Sequence, residues 1–228
     1  MAVEDAAMET ADDPARDGKG PSRPLGRGVR EIVETVLLAV AIYVGVQAVI
    51  PPYAVDGKSM NPTLSDGERL LVNRPVYAHF DANRLWNLIP GVERAGEAVV
   101  YPFHRPERGE IVVFRPPLRS DRPYIKRVIG LPGDRVVIAD GVVSINGERL
   151  PETYIGGVET VCQGRNCDVT VPEGMVFLLG DNRRNSSDSR DFGPVAMDAI
   201  EGKAWVANWP PDAIGMIPTA EYGSVPDE

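Results

Sequence analysis

The hydrophobic pattern of the chain changes character once. Residues 35–50, "TVLLAVAIYVGVQAVI", carry no charge. At ~1.5 Å rise per residue a helix over this run covers about 24 Å, slightly short of a ~30 Å hydrocarbon core. Ile32 and Val33 on one side, and Ala54 and Val55 on the other, extend it. Pro51 and Pro52 end it, since the second proline cannot continue a helix. Beyond this point apolar residues come in short runs: 69–73, 110–116, 124–131, 134–150, 175–180 and 203–209. Each is rich in β-branched and aromatic residues, and "ADG" and "NGE" inside 134–150 are hairpin turn signals. No βαβ rhythm and no internal repeat is present. The pattern predicts one membrane-spanning helix followed by a mainly β domain of barrel or sandwich type.

One stretch interrupts this rhythm. Residues 78–108 are long for a plain connection and bring Phe80, Leu85, Trp86, Leu88 and Ile89 close together. Two readings stand: a small satellite core under a long loop, or a patch at the lipid headgroups, where Trp is favoured.

Composition refines the picture. The chain has 228 residues, with 23 Gly and 21 Pro spread throughout, which suits short strands and many turns. The net charge of −9 argues against nucleic acid as a partner, since phosphate needs Lys and Arg clusters. The acidic first residues lack apolar periodicity and read as a disordered tail. That tail also argues against a cleaved secretory signal, which wants a short basic start, although "VQA" resembles a cleavage site. Arg23, Arg27 and Arg30 flank the N-terminal end of the apolar run, and only Lys58 is comparably near the other. The positive-inside rule then places the tail in the cytoplasm and everything after Pro51 outside. The expected organisation is a cytoplasmic tail at 1–31, an anchor at 32–52 and an extracytoplasmic domain at 53–228. Within that domain lie the insertion 78–108 and a smaller subdomain around 134–175.

The chain has two cysteines, Cys162 and Cys167. Such a lone pair lacks the further ligands of a structural zinc site. Outside the cytoplasm it reads as a disulfide closing a small loop; in a reducing compartment it would be two free thiols.

Three segments raise chemistry. "VDGKSMNPTL" sets Ser59 on a loop punctuated by Gly57 and Pro62. A serine is a weak nucleophile until a base takes its proton. Neither His79 nor His104 has a supporting acid in the sequence. "YIKRVIGLPGD" offers Lys126 instead. Residues two apart share a strand face, so Lys126 faces with Tyr124 and Val128, and Arg127 faces the other way with Ile125 and Ile129. Burial disfavours a lysine's charge, and a neutral lysine serves as base in Ser-Lys variants of the triad. "GDNRRNSSDSRDFG" is polar almost throughout; Asp188 and Arg190 can pair to fix it, and Ser186 can orient a nearby lysine.

In this order, behind an anchor, the motifs "GKSMNPTL", "GERLLVNR", "RGEIVVFRPP", "YIKRVIGLPGD" and "GDNRRNSSDSR" resemble bacterial type I signal peptidases, membrane-anchored Ser/Lys endoproteases. The resemblance runs from about residue 32 to 209. It implies Ser59 as nucleophile and Lys126 as general base, with Met60 supporting the site. Ser186 matches the serine that hydrogen-bonds the lysine, Asp188 and Arg190 the structural pair behind it, and Asp181 opens the same box. It further implies a signal-peptidase-like β fold whose protruding subdomain holds the Cys162–Cys167 loop. Gly57 stands where some members carry an oxyanion-hole serine, which leaves that hole to the Ser59 backbone N–H and the Gly57 region. Lys58 reads as flanking, and Arg184 stands where the family usually has an acid. The implied substrates are secretory preproteins cleaved at A-x-A-like sites, with membrane lipid and the protein translocation machinery as partners and no metal or cofactor. Two rivals remain: a Ser/Lys self-cleaving repressor-like protein, which wants a DNA-binding segment in front, and a catalytically silent, membrane-tethered binding module.

Overall fold

The computed structural model describes residues 25–89, 91–96, 98–117, 120 and 122–222. Most of the acidic tail, with Arg23, lies outside them. The chain divides into two compact units at residues 44 and 45. Helix α1 spans Leu25–Val49. Its Gly28–Val49 stretch, 22 residues, is long and apolar enough to cross a membrane. The helix starts earlier than the apolar run because Arg30, Glu31 and Glu34 are tolerated in a helix, and only the apolar stretch marks what lipid can cover. The expected extension to Ala54 and Val55 is not made. After Pro51, Pro52–Ala54 form strand β1 and Val55 is buried in the β core.

The remaining elements follow in chain order: β2 (Arg69–Asn73), β3 (Phe80–Asp81), α2 (Ala82–Trp86), β4 (Val99–Val100), β5 (Ile111–Phe114) and β6 (Tyr124–Gly130). Next come β7 (Arg135–Ala139), β8 (Val142–Ile145), β9 (Glu148–Arg149), β10 (Asp168–Thr170) and β11 (Met175–Leu179). The last are α3 (Ser189–Phe192), β12 (Val195–Ala196), β13 (Ile200–Trp209) and β14 (Gly215–Met216).

The large sheet has the order β1-β2-β13-β5-β6-β11-β12, with β14 on β13. The small sheet has the order β10-β7-β8-β9 and falls within the stretch 134–175 expected to be a smaller subdomain, and β3 pairs β4. Alternation explains both. In β2, Leu70 and Val72 are buried and Arg69 is exposed; in β7, Val136 and Ile138 are buried between exposed Arg135 and Ala139. Three apolar clusters fill the interior. One lies beneath the small sheet around Ile129, Val136 and Phe177. One surrounds Phe114, Val128 and Leu178. The third gathers Val55, Met60, Leu64, Leu70 and Ile111 behind the Ser59 loop.

The segment after β14 returns to the core. Ile217 and Tyr222 are buried, and the Tyr222 hydroxyl donates to that of Tyr154 at 2.9 Å. Ala220 N–H donates to Gly109 O at 3.1 Å. A Cβ on Gly109, whose φ is +93°, would lie 2.0 Å from Ala220 O, so only glycine admits this contact.

The insertion at 78–108 is the β3–α2–β4 excursion. Phe80, Trp86, Leu88, Ile89 and Phe103 are exposed, Leu88 by 76% and Phe103 by 73%. The satellite-core reading is not realised: these side chains face out. Arg94 lies over the Trp86 ring at 5.1 Å. Cys162 and Cys167 are joined in a disulfide just before β10.

Candidate active site

The loop that carries Ser59 is fixed residue by residue. Val55 N–H donates to Glu68 O at 2.8 Å, and Gly67 N–H to Val55 O at 2.9 Å. At Gly57 the backbone takes φ +95°, a left-handed value that glycine adopts without strain. Met60, fully buried, anchors the turn from below, while Lys58 is exposed. From the far side Asn182 clamps it: its N–H donates to Ser59 O at 3.0 Å and its side-chain amide to Lys58 O at 2.9 Å.

Lys126 sits in β6 with 3% of its surface exposed. Its Nζ lies 2.8 Å from Ser59 Oγ and 2.8 Å from Ile125 O, with the Tyr124 ring 5.5 Å away. Burial pushes the Lys126 amine down to about 8, against the opposing pull of the Asp188 and Asp181 carboxylates. A neutral amine at this distance can accept the serine proton.

Arg127, on the opposite face, is buried and grips Asp181 with two bonds of 2.9 and 2.7 Å. It also donates to Gly109 O at 2.7 Å and lies 4.2 Å over the Tyr154 ring. This pair locks β6 to the 180–190 segment directly behind Lys126. Arg183 binds Glu152 and donates to Thr160 Oγ1 at 2.6 Å, tying the same segment to the subdomain. Asp188 accepts Gly180 N–H at 3.0 Å and caps α3, while Arg190 holds it with two bonds of 2.8 Å. Arg190 also donates to Arg183 O at 2.7 Å. Arg184 is exposed.

Ser59, Met60, Lys126, Asp181, Asp188 and Arg190 therefore meet in one neighbourhood. Three expectations need correction. The hydroxyl of Ser186 is buried without a hydrogen-bond partner, so the orienting bond to Lys126 is not formed. It is pressed onto Gly180, where an added Cβ would meet Ser186 Oγ at 2.1 Å and Ser59 O at 2.6 Å. Gly57 N–H donates to Asp66 Oδ1 at 2.8 Å, so it is engaged and unavailable to an oxyanion. Among the described residues no acceptor takes the N–H of Ser59 itself. Finally, His104 does have acids: Glu110 at 2.9 Å and Glu107 at 3.6 Å. Those three residues cluster closely enough to suggest metal ligands. The oxygens of Glu110 are nevertheless already taken, by Lys203 at 2.5 Å and Tyr77 at 2.6 Å. Burial works to raise the Glu110 carboxyl, and these donors outweigh it and hold it below its usual range.

A cleft with a cavity of about 580 Å³ opens beside the serine. Its apolar walls include Ala54, Val55, Leu70 and Ile125, and both Ser59 and Lys126 line it. Strands β1 and β6 stand four places apart in the sheet order yet share this cavity, so the sheet curls around it. Sequence reasoning missed Asn182, Arg127 and Arg183. Arg127 carried a signal, an arginine facing away from the lysine inside an apolar strand; Asn182 carried none.

Comparison with known proteins identifies the family to which the chain belongs. The model of the family described as signal peptidase, peptidase S26, matches residues 29–209. A probable signal peptidase I-2 of Synechocystis is 33% identical over 193 residues, covering 82% of this chain and 76% of its own. A signal peptidase I of Leptolyngbya laminosa is 35% identical over 213 residues, covering 90% and 89%. A crystal structure of a signal peptidase I from Enterococcus faecalis is 38% identical, with a TM-score of 0.37, covering 43% of this chain and 96% of that one.

Proposed function

Since the chain belongs to the signal peptidase family S26, we propose that it is a membrane-bound serine endopeptidase that removes signal peptides from preproteins, with Ser59 as nucleophile and Lys126 as general base. The observation that carries this reading is the 2.8 Å contact between Ser59 Oγ and a Lys126 amine held down to about 8 by burial.

The chemistry follows from the contacts. Neutral Lys126 takes the Ser59 proton as Oγ attacks the carbonyl carbon of the scissile bond. The oxyanion that forms meets the N–H of Ser59. Lys126, now an ammonium, gives its proton to the leaving amine as the C–N bond breaks. A water then attacks the acyl-enzyme and Lys126 accepts its proton; as the ester C–O bond breaks, Lys126 passes that proton to Ser59 Oγ, which restores the hydroxyl and the neutral amine. Asn182 keeps the Ser59 carbonyl fixed throughout.

The cleft suits an extended peptide. Among the described residues strand β1 pairs only with β2, and β11 meets β6 only from Arg127 onward, which leaves the β11-facing side of residues 124–126 without a strand partner. Two unpaired backbone edges therefore face an apolar pocket, the arrangement by which a strand is added to a sheet. Shallow apolar walls of Ala54, Val55 and Ile125 suit small side chains, as in A-x-A-like sites.

Helix α1 is read as the anchor, with residues 1–31 as the cytoplasmic tail and 53–228 outside. Arg27 and Arg30 on its N-terminal flank favour that orientation. A Cys162–Cys167 disulfide suits the outer compartment. The exposed side chains of 80–103 are read as headgroup contacts, and the translocation machinery as the route by which preproteins arrive. Incubation of the detergent-solubilised protein with an exported precursor tests the central reading. Cleavage at the small-residue site, abolished in Ser59→Ala with the fold intact, is the expected result; cleavage by that variant overturns it.

A further inference from the structure

An ion pair ties the two walls of the cleft together. Arg122 Nη1 lies 2.5 Å from Asp56 Oδ2, and both residues line the cavity that holds Ser59 and Lys126. The proton transfer does not use this pair. Nor does the fold depend on it, since the two side chains are 81% and 74% exposed and such pairs contribute little to stability.

Their backbones are nonetheless held in place. Asp56 lies between Val55, bonded to Glu68 and Gly67, and Gly57, bonded to Asp66. Arg122 N–H donates to Ser120 Oγ at 3.2 Å, and Ser120 Oγ–H returns a bond to Arg122 O at 3.1 Å. Pro123 then fixes the next backbone angle. Asp56 is thus presented by a segment bonded to its surroundings, and Arg122 by a local turn with Ser120. On one wall it stands three residues before Ser59, on the other four before Lys126. The two segments run from the pair to Ser59 and Lys126, and all four residues line one cavity.

We propose that the Asp56–Arg122 pair is a specificity-determining strap that limits the room over the outer small-residue position of the substrate, the third residue before the scissile bond. An alanine side chain passes beneath the closed pair. A leucine must break it. The proposal rests on the reading of the cleft as a signal-peptide site. Because an exposed pair is worth at most about 1 kcal/mol, the discrimination it adds is about fivefold.

The test uses the full-length protein in detergent and two precursors that differ only in alanine or leucine at that position. The readout is the leucine-to-alanine ratio of kcat/KM. Arg122→Ala and Asp56→Ala should each raise the ratio about fivefold. The swap Asp56→Arg with Arg122→Asp should return it to the wild-type value. Salt near 1 M, where the screening length falls to about 3 Å, should raise the wild-type ratio and leave the single variants unmoved. Equal ratios in all four proteins overturn the strap while the protease reading stands. A raised ratio that the swap does not restore also overturns it, since the separate side chains and not their tie would then set the preference. Failure of the wild type to cleave the alanine precursor removes both.

Discussion

At the scale of single residues, the role proposed for Lys126 demands that it be uncharged where lysine ordinarily is not. Burial supplies this, taking the amine from 10.5 to about 8. Cleavage rate should therefore rise with pH through a midpoint near 8, measured as kcat/KM on a precursor. Lys126→Arg should be inactive across that range, because a guanidinium stays charged and cannot take the proton. Lys58→Ala should cleave at a rate close to wild type, since that side chain is exposed and makes no contact with the serine. The same burial affects stability. Between pH 8 and 10.5 the unfolded chain holds a proton that the folded one has released, so this group's contribution to stability improves as pH rises through that window. Below it, the fold carries a buried ammonium. Lys126→Met should therefore abolish activity and yet stabilise the protein at pH 7, by on the order of 1–3 kcal/mol in urea denaturation.

At the scale of elements, the box at 180–190 acts as a brace between β6, the Ser59 loop and the subdomain. Arg127 and Asp181 are 1% and 0% exposed. Asp181→Ala leaves a guanidinium buried without its partner and should cost about 3–5 kcal/mol, read from a denaturation midpoint. Asn182→Ala should lower kcat more than it raises KM, since it frees the Lys58 carbonyl next to Ser59 without touching the apolar walls, while the backbone bond to Ser59 O remains. The β3–α2–β4 excursion behaves differently. Residues 45–228 form a compact unit, so a chain beginning at residue 51 should still bind lipid vesicles in a sedimentation assay. Replacing Trp86, Leu88 and Ile89 by Ser should weaken that binding several-fold; no binding by the unmodified chain would remove headgroup contact from the account.

How far these elements could be read in advance depended on the range of the interaction. Strands β2, β6 and β11 were legible because alternation or a closed apolar run is a local signal, and their ends fall within a residue or two of the pattern. Strand β13 begins three residues before its predicted start, because Ile200 and Gly202 pair with Phe114 and Val113, a register no neighbour announces. Ser59 and Lys126 were legible through the order of their motifs. The partners that hold them were not. Arg127 and Asp181 lie 54 positions apart and Arg183 and Glu152 lie 31 apart, and nothing local marks which charge meets which. The unpartnered hydroxyl of Ser186 and the engaged N–H of Gly57 were hidden for the same reason: hydrogen bonds are chosen by the finished packing.

At the scale of the whole molecule, the disulfide joins topology to chemistry. Mass spectrometry of protein taken from membranes without reductant should find Cys162 and Cys167 linked, and two alkylated thiols would count against placement of the domain outside. A second consequence concerns the segment after β14. The segment 217–222 closes the cluster beneath the small sheet: Tyr222 meets Tyr154, whose ring lies under Arg127, and Ala220 meets Gly109, whose carbonyl Arg127 also binds. Residues 217–222 thus finish the bed on which the lysine strand rests. A chain without them keeps its serine and its lysine but loses the Tyr222 and Ala220 contacts beneath them. Removing residues 217–222 should therefore lower kcat on a precursor although neither reacting side chain is touched: the segment works as a keystone, remote from the chemistry and needed by it.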